Sequence, residues 1–579
     1  DGGVGGDGSD GDPSTTNYPP STDQLPYAIP DGSGFSTEPL YTVGETTTLT
    51  STGAAGGYRL TGIPDGMGVY TDEQGLVHVF MNHEIGDSKD QPDKLPILTI
   101  PVVGEPGYRG AYVTEIILDP KTGDVISADQ AFDQAMYWNV GTQSFDDVTE
   151  LWRNPDIPPD PTPGSGRWKF AKFCSAFLGG PEVGLLDRIF FTGEEDSGAD
   201  KTFDGLGGTR VAVVDGVAYA LPNMGHFQQE NAIVVPTPNT DKTYVIIPED
   251  RGTLDSQLYM WVGTKQPDDP NPIVRNGLVN GDLYVFKARD NQIEGEAQFG
   301  IGDGTLPGEW VLIDRDKAAK DTAEEFEKYV QSLNAFDFVR VEDGVVSTTE
   351  AGVFYFAVTG NERPGPDKQP SPNLYGRFYR MDFTDWTDPL AGAGITVLLE
   401  PQNVFDGIIN PDNVDMNRQG QIMIQENVNG AWRGKAPFDW SPTNPTGGES
   451  RIWQFDPTTG ALSVMAEISQ LPSEPVWNTT DPEARNPAPG GTWESSGVVD
   501  VSAIYGQGAW LFDVQANTLN NEEVYQLDTE TTRPVPAGFE VFDGGQLLLL
   551  RTTNPRNGGS GGTGGVGGNG SMIFGAGGD

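Results

Sequence analysis

Leu118-Asp119-Pro120-Lys121-Thr122-Gly123-Asp124 recurs in a related form as Phe455-Asp456-Pro457-Thr458-Thr459-Gly460-Ala461. In both segments Asp-Pro opens a tight turn and glycine closes it, because proline fixes its own backbone while glycine accepts conformations that other residues avoid. An apolar run precedes each turn, so each segment predicts a β-hairpin. Two hairpins of one type in distant parts of the chain indicate a fold that is built from similar β-units.

The rest of the chain also consists of short apolar runs, which Gly, Pro, Asn and Asp separate. Most of these runs are rich in β-branched and aromatic residues, as is typical of strands. Examples start at Leu76, Ala111, Arg210, Thr243, Asp282, Val353, Gly420 and Gln546. Many short strands in a chain that is too long for one sandwich favour a β-propeller, in whose blades such hairpins are common. We therefore predict an all-β fold, a six-bladed β-propeller, although strict blade repeats are not evident.

Three segments depart from this strand pattern. Residues 1–35 are rich in Gly, Asp, Ser, Thr and Pro and cannot form a core, and residues 554–579 form a Gly-rich tail. We expect both to be disordered, and we assign residues 36–553 to the propeller and catalytic domain. The stretch Lys317–Ser332 has apolar residues at helical spacing and predicts a small helical insertion.

The charge of the chain restricts its partners. It contains 35 Lys and Arg against 84 Asp and Glu, a net charge of -49. Such a surface repels nucleic acid and anionic membranes, whereas it attracts divalent cations and stays soluble at high salt. No apolar stretch is long enough to span a bilayer. We expect a secreted, periplasmic or cell-surface protein, and residues 1–35 could serve as a surface tether.

A soft and several hard metal ligands lie close together in the chain. Cys174, the only cysteine, is followed at about one hairpin's distance by Glu194, Glu195 and Asp196, which end an apolar run. Thiolate favours iron or zinc, while carboxylates favour calcium, magnesium or ferric iron, so the pair of segments predicts a mixed metal site. The alternative is that Cys174 is a small buried apolar residue and that the carboxylates lie on a solvated turn.

Further acidic residues lie at strand ends throughout the chain. Only three histidines are present, no G-x-S-x-G elbow follows a strand, and no phosphate-binding glycine loop opens a helix, so acidic residues would do most of the chemistry. Each blade of a propeller can deliver one ligand to the same end of the central channel. Taken alone, each acidic residue is more often structural than a ligand, and it is the set that indicates a site. The candidates are Glu84, Glu194, Glu195, Glu230, Asp250, Glu342, Asp412 and Glu426.

Six segments, taken in order, resemble the PhoX-type alkaline phosphatases, which are exported, calcium-dependent bacterial enzymes with a propeller fold. Order and approximate spacing agree over roughly residues 60 to 430. The segments are Asp65-Gly-Met-Gly with Asn82-His-Glu84, Cys174-Ser with Gly193-Glu-Glu195, Gly225-His-Phe-x-x-Glu230-Asn, Pro248-Glu-Asp250, Arg340-Val-Glu342, and Pro411-Asp-Asn413 with Gln425-Glu426.

The resemblance implies a cluster of Fe³⁺ and Ca²⁺ ions bridged by an oxo group. Cys174 would be the thiolate on iron, and Arg340 would bind the phosphate of the substrate. The implied carboxylate ligands are Glu84, Glu194 or Glu195, Glu230, Asp250, Glu342, Asp412 and Glu426. Phosphomonoesters would be the first substrates and diesters the next. The segment after the cysteine, Ala176-Phe-Leu-Gly-Gly-Pro-Glu182, replaces a Thr-Pro-Trp-Gly-Thr-Trp-like segment of the family, which indicates a distant branch.

Two other functions remain open at this stage. One is a non-catalytic, calcium-binding extracellular propeller that acts as a surface or assembly protein. The other is a propeller hydrolase that uses calcium alone, such as a lactonase or a phytase-like enzyme. Cys174 distinguishes the hydrolase that uses calcium alone from a PhoX-type enzyme, because calcium gains nothing from a thiolate ligand.

Overall fold

The computed structural model describes residues 22–553 except 23, 33, 48, 50–56, 87–96, 99–107, 154–162, 365–368, 442, 445, 471–489 and 518–543. Most of the predicted N-terminal segment and all of the Gly-rich tail 554–579 lie outside the described residues. Among the described residues, strand accounts for 43% and helix for 8%, so the predicted all-β class is confirmed. The predicted domain boundaries remain predictions.

The strands of the first half of the chain follow each other closely. In chain order they are β1 Ala28–Pro30, β2 Phe35–Thr42, β3 Pro64–Thr71, β4 Val77–His83, β5 Ile97–Leu98, β6 Tyr108–Arg109, β7 Val113–Leu118, β8 Val125–Gln130, β9 Phe132–Asn139, β10 Ser144–Asp147, β11 Phe177–Gly179, β12 Ile189–Gly193, β13 Arg210–Val214, β14 Gly216–Leu221 and β15 Ile233–Val235.

The second half continues the same pattern. Its strands are β16 Lys242–Pro248, β17 Leu258–Thr264, β18 Asp282–Ala288, β19 Leu306–Leu312, β20 Val341–Val346, β21 Val353–Val358, β22 Arg377–Phe383, β23 Ala393–Leu399, β24 Pro411–Met416, β25 Ile422–Glu426, β26 Arg451–Asp456, β27 Ala461–Ile468, β28 Glu494–Asp500, β29 Trp510–Ala516 and β30 Gly544–Thr552.

These strands form mainly antiparallel sheets. The strand orders are β3-β4-β7-β8, β10-β9-β14-β13-β12-β11, β15-β16-β17-β18-β19-β23-β22-β21-β20, β1-β27-β26-β25-β24 and β2-β30-β29-β28, beside the ribbon β5-β6. The pairing of β14 with β9 is parallel. Among the end strands, β3 contacts β11 and β28, and β24 contacts β20 and β28, so the sheets are arranged side by side around their end strands. The blade count remains a prediction.

Both predicted hairpins are present. The turn after Leu118 joins β7 to β8, and its Gly123 donates a backbone hydrogen bond to the Asp119 carbonyl at 2.9 Å. The turn after Phe455 joins β26 to β27, where Gly460 donates in the same way to Asp456 at 2.8 Å. Glycine is required in both turns, because φ is 87° at Gly123 and 72° at Gly460.

Strands from both ends of the chain complete two of the sheets. β1 lies within the predicted flexible segment 1–35 and pairs with β27, so this part of the segment is joined to a sheet. β2 pairs along its length with β30. These pairings cover edges that would otherwise expose unpaired backbone groups.

Helices occupy few places in the described part of the chain. They are α1 Thr149–Trp152, α2 Pro272–Arg275, α3 Arg315–Lys320, α4 Ala323–Gln331 and α5 Ser502–Tyr505, with single turns of 3-10 helix at Pro181–Val183, Pro222–Met224 and Pro389–Ala391. The predicted helical insertion consists of α3 and α4, which are separate because Thr322 begins α4 in a capping box with Glu325. No helix in the described residues is long and apolar enough to cross a membrane.

Candidate active site and metal centre

Six strands have a side chain that can bind a metal ion at their first or second residue or three residues before their beginning. All six are end strands of their sheets. The side chains are Asp65 of β3, Cys174 before β11, Glu230 before β15, Glu342 of β20, Asp412 of β24 and Glu494 of β28. Cys174 and Glu230 hold equivalent positions, since each lies three residues before its strand. The only cysteine of the chain therefore takes a place where the other five strands carry a carboxylate.

A β-bulge near the beginning of the strand determines the direction of three of these carboxylates. The register of β3 with β4, of β20 with β21 and of β24 with β25 shifts near the beginning of the end strand. In each case two residues are skipped, and the first of the two is Asp65, Glu342 or Asp412. Bulges bend a strand and redirect its side chains, and they are common beside active sites. The repeated bulge explains how separate sheets present carboxylates in the same direction.

The second strands of the sheets end beside these donors, as the sequence predicted. β4 is followed by Glu84, β12 by Glu194 and Glu195, β16 by Glu249 and Asp250, and β25 ends at Glu426. Because the first two strands of each unit are antiparallel, the end of the second lies beside the beginning of the first. The acidic residues near the beginning of the first strands and those at the end of the second strands therefore lie at the same end of their sheets.

Ligand atoms of five predicted site residues approach each other closely enough to share cations. One group contains Cys174, Glu195 and Glu230, and the other contains Glu230, Glu342 and Asp412; within each group the ligand atoms lie within 4.8 Å of one another. Glu230 belongs to both groups. The arrangement has the donor types of a mixed site, with one thiol and several carboxylates. We call these residues, together with Asp65, Glu84 and Asp250, the acidic centre.

Hydrogen bonds orient Glu230, but one of its two carboxylate oxygens has no hydrogen-bond partner among the described residues. Its Oε1 accepts a hydrogen bond from the Ser175 hydroxyl at 2.6 Å, and that hydroxyl accepts one from Asn413 Nδ2 at 2.8 Å. Glu230 Oε2 is buried and has no hydrogen-bond partner among the described residues. A buried carboxylate oxygen without a donor is costly, so this atom fits a position that faces a cation.

Arg340 is paired with two carboxylates of the acidic centre, Asp250 and Glu342. Its Nε and Nη2 donate to the two oxygens of Asp250 at 2.9 and 2.8 Å, and Nη2 lies 3.1 Å from Glu342 Oε1. Its Nη1 lies 3.4 Å from Asn429 Oδ1, which is a long contact. The backbone φ of Arg340 is 65°, a conformation that non-glycine residues rarely adopt and that is enriched at functional sites.

Gln515 links Glu84 and Asp65. The Gln515 amide donates to Asp65 Oδ2 at 3.1 Å and lies 3.3 Å from Glu84 Oε2. Asp65 Oδ1 is buried and has no partner among the described residues. Lys172 Nζ lies 3.0 Å from Glu84 Oε1 and 2.9 Å from Glu195 Oε2.

Four predicted ligands, Glu84, Glu194, Asp250 and Glu426, are in neither three-ligand group, and two of these, Glu194 and Glu426, are held by hydrogen bonds from their own surroundings. The oxygens of Glu194 accept backbone hydrogen bonds from Ala171, Phe203 and Thr209, at 3.1, 2.8 and 3.2 Å. Adjacent residues at a strand end point in opposite directions, so Glu194 fixes the surrounding loops while Glu195 faces the cysteine.

Glu426 is likewise occupied by its own surroundings. It accepts hydrogen bonds from the Ile409 and Arg451 backbone at 3.1 and 2.9 Å, and Arg451 Nε lies 3.2 Å from its Oε2. Its carboxylate is completely buried in this network. The structure therefore places Glu426 as an anchor between β24, β25 and β26.

Burial and mutual repulsion perturb the protonation of the acidic centre. Burial, followed by the charges of Asp65 and Glu230, raises the pKa of the Cys174 thiol well above its usual value. Burial raises the pKa of Glu195 to about 8, even though Lys172 opposes the shift, and raises that of Asp412 to about 6. Nearby like charges disfavour ionisation, and bound cations would reverse this effect. The acidic centre is therefore arranged for positive charge that the described side chains do not fully supply.

Three residues of the site were not among the sequence candidates. Asp65 was in a segment used for the family resemblance, and Lys172 was in the segment that contains the cysteine, but neither was assigned a role. Glu494 opens β28, and burial together with Glu84 and Asp412 raises its pKa to about 8. The signal that identifies Asp65 and Glu494 is their position, because each lies at the start of an end strand like Glu342 and Asp412.

Comparison with known proteins adds a family to this geometry. Residues 215–462 match the family described as alkaline phosphatase PhoX. Among solved structures, the chain is similar to Pseudomonas fluorescens PhoX in complex with vanadate, a transition state analogue, with 15% identity and a TM-score of 0.55 over 92% of this chain and 97% of that chain. A subtype N11 neuraminidase-like protein of A/flat-faced bat/Peru/033/2010 (H18N11) has 10% identity and a TM-score of 0.31, with 91% and 97% covered. No curated protein matches the chain.

The two main findings carry different information. The structural similarity, at this level of identity, establishes the fold. The family match rests on sequence similarity over residues 215–462. Cys174 lies outside this range, which includes Glu230, Asp250, Arg340, Glu342 and Asp412. Together they support an alkaline phosphatase-type phosphoesterase. The resemblance predicted from the sequence is thus confirmed: the chain matches the PhoX alkaline phosphatase family over residues 215–462 and has the fold of a PhoX phosphatase over most of its length.

Proposed function

We propose that the protein is an exported, metal-dependent phosphatase that hydrolyses phosphomonoesters, and diesters less readily, at the acidic centre. The observation that carries this proposal is the juxtaposition of two three-ligand groups that share Glu230, with the Arg340 guanidinium 3.1 Å from Glu342 of the same centre. Cations and a guanidinium at one place are what a phosphate group requires for binding.

The residues fit a mixture of Ca²⁺ and Fe³⁺. Carboxylates of Glu230, Glu342 and Asp412 offer only hard oxygen ligands, which suit calcium. The group with Cys174 adds a sulfur, from which iron gains and calcium does not. The buried, unpartnered oxygens Glu230 Oε2 and Asp65 Oδ1 are consistent with such ions, because a cation would satisfy them.

Metal ions in such a centre, when bound, neutralise the phosphoryl oxygens and activate the attacking oxygen nucleophile. The protein's own residues then bind and orient the ester. Asp250 uses the Nε and Nη2 edge of Arg340, which leaves Nη1 free of a short hydrogen bond to the described residues. Nη1 can therefore donate to a phosphate oxygen, while Asp250 holds the plane of the guanidinium fixed.

The charge of the centre makes metal a condition for substrate binding. Without cations, the carboxylates around Cys174 and Glu230 would repel a phosphate dianion as they repel each other. Arg340 alone cannot offset this repulsion, since Asp250 and Glu342 already surround it. Export is proposed from composition, because the net charge of -49 suits an extracellular or periplasmic protein, and the part of residues 1–35 before β1 is proposed as a tether.

The test measures metal content and turnover on the same preparation. We expect elemental analysis to find iron and calcium, and we expect hydrolysis of p-nitrophenyl phosphate that a chelator abolishes and the two metals restore. Bis-p-nitrophenyl phosphate, measured in parallel, should be a poorer substrate. If the metal-replete protein hydrolysed no phosphate ester, the proposal would fail in favour of a calcium-binding surface or assembly protein. Full activity with calcium alone and no iron would refute the role of the thiolate.

A further inference from the structure

Lys172 connects two acidic residues that come from different sheets. Its Nζ lies 3.0 Å from Glu84 Oε1 and 2.9 Å from Glu195 Oε2. Glu84 follows β4, whereas Glu195 follows β12. The side chains of the three residues are 33%, 17% and 10% exposed, so the two ion pairs are partly shielded from water. Ion pairs in such surroundings are screened less than pairs on the surface.

The backbone of Lys172 joins the same two segments. Its N–H donates to the Ile85 carbonyl, next to Glu84, at 2.9 Å, and its carbonyl accepts from the Glu195 N–H at 2.9 Å. The stem of its side chain packs on Gly86, where an added Cβ would lie 2.8 Å from Lys172 Cγ. The side chain thus has little freedom to leave the two carboxylates.

Lys172 holds this position in an unfavourable conformation. Its φ is 45°, a value that costs free energy for any residue with a side chain. Glycine would adopt the conformation readily, but it would supply no charge. Such strain persists where surrounding structure imposes it and is found at functional sites. We therefore expect the side chain of Lys172 to have a function, and its contacts with Glu84 and Glu195 indicate that this function depends on its positive charge.

We propose that Lys172 is a built-in cation of the acidic centre: it neutralises Glu84 and Glu195, holds their segments together and thereby weakens the attraction of the centre for metal ions at these two carboxylates. This inference rests on the proposed metal-dependent function of the same site. Removal of the ammonium leaves two carboxylates without a counter-charge, so metal ions bind more tightly while the metal-free protein becomes less stable. A residue with a merely structural role would change stability equally with and without metal.

The test uses the full chain after removal of metals by a chelator, with Ca²⁺ alone as the probe. Calorimetric titration gives the Kd and stoichiometry for wild type, Lys172→Met and Lys172→Arg, and thermal unfolding is followed without metal and at saturating Ca²⁺. Lys172→Gln, which can still hydrogen-bond both carboxylates, replaces Lys172→Met if the latter does not fold. Lys201→Met is the matched control, because Lys201 pairs with the single carboxylate of Asp196 at 3.0 Å.

We expect Lys172→Met to lower the Kd for Ca²⁺ by about tenfold or more, and to lower Tm chiefly in the metal-free state. Lys172→Arg should resemble wild type, and Lys201→Met should leave the Kd unchanged. An unchanged or higher Kd in folded Lys172→Met or Lys172→Gln would overturn the inference, as would an equal loss of Tm with and without Ca²⁺. Absence of calcium binding in every variant would overturn it as well. Phosphate ester turnover, measured separately, decides the proposed function.

Discussion

The guanidinium of Arg340 and the carboxylate of Asp250 face each other edge to edge, with Nε–Oδ1 and Nη2–Oδ2 distances of 2.9 and 2.8 Å. This bidentate geometry fixes both the position and the plane of the guanidinium. Asp250 was predicted as a metal ligand, which stays a prediction, and the structure places it beside Arg340, the phosphate-binding candidate. We therefore expect Asp250 to act on the substrate through Arg340.

Replacement of Asp250 by asparagine should affect substrate binding more than folding. Asparagine has one acceptor where aspartate has two, so the guanidinium loses its fixed plane and turns towards Glu342. We expect KM for p-nitrophenyl phosphate to rise about tenfold, with a smaller change in kcat, because a mutation of this kind removes binding energy. The control is Asp382→Asn, since Asp382 pairs with Arg380 at 2.8 Å away from the site. An unchanged KM would contradict the assigned role.

Substitution of Cys174 by serine should remove iron and activity together. Serine keeps the size of the side chain but offers a hydroxyl that iron binds far more weakly than thiolate. We expect the iron content to fall below detection while calcium is retained, and kcat to drop by about 100-fold or more. Elemental analysis and steady-state kinetics check this. Wild-type activity in an iron-free Cys174→Ser protein would show that the thiol is only a buried side chain.

Replacement by glutamine should affect stability at Glu194 and metal binding at its neighbour Glu195. Glu194→Gln leaves buried backbone N–H groups with a weaker acceptor, which should destabilise the fold by about 1–3 kcal/mol. Glu195→Gln removes a candidate ligand and should lower metal affinity and activity with little loss of stability. Denaturant unfolding of the metal-free proteins and metal titration distinguish the two. If Glu194→Gln lost metal and Glu195→Gln did not, the orientation of the pair would be wrong.

Ser175 should tune metal binding without contributing a ligand. Its hydroxyl connects Glu230 to Asn413, and hydrogen bonds that orient ligands are worth about 10–100-fold in metal affinity. We expect Ser175→Ala to weaken metal binding by that factor, and Ser175→Thr to restore part of it. Metal titration of both variants measures the effect. Equal affinities in wild type and Ser175→Ala would exclude this role.

His78 should stabilise the fold at acidic pH. Burial lowers the pKa of His78, but hydrogen bonds and charges of Glu115 and Asp72 outweigh it, so the pKa lies above its usual value. Because the folded state binds the proton more strongly than the unfolded state, the stabilisation is fully present below about pH 6.5 and is lost as pH rises through the folded pKa. The difference in unfolding free energy between wild type and His78→Gln should therefore be larger at pH 5.5 than at pH 8.5. A pH-independent difference would refute the ion pairs.

The general plan of the site could be inferred from the sequence, since acids at strand ends must converge when the strands belong to neighbouring sheets. Glu230, Glu342 and Asp412 were found in this way, and the hairpin turns indicated the fold. The choice between Glu194 and Glu195 could not be made, because it depends on which loop supplies backbone donors. Ala171 and Phe203, which bond Glu194, lie in separate segments whose approach no local pattern reveals.

Glu426 and Lys172 show a second limit of the same kind. The function of a charged side chain is decided by its partner, and the partner is distant in sequence. Arg451, which pairs with Glu426, begins the next strand 25 positions later in the chain, and Lys172 reaches Glu84 across a sheet boundary. The bulges, in contrast, can be recognised from the local sequence. Each leaves two residues unpaired, such as Glu342-Asp343 and Asp412-Asn413. They share an acidic residue followed by a short polar one at the start of an end strand.

The pairing of β2 with β30 has a consequence for biosynthesis. Thr42 of β2 pairs with Gln546 of β30 across a separation of 504 positions. At the usual pace of translation, about 5–20 residues per second, the partner of β2 emerges roughly half a minute or more after β2 itself. During that interval β2 has no strand to pair with. This sheet can therefore be completed only after β30, Gly544–Thr552, has been made, and until then the nascent chain is most exposed to proteases and to association with its own copies.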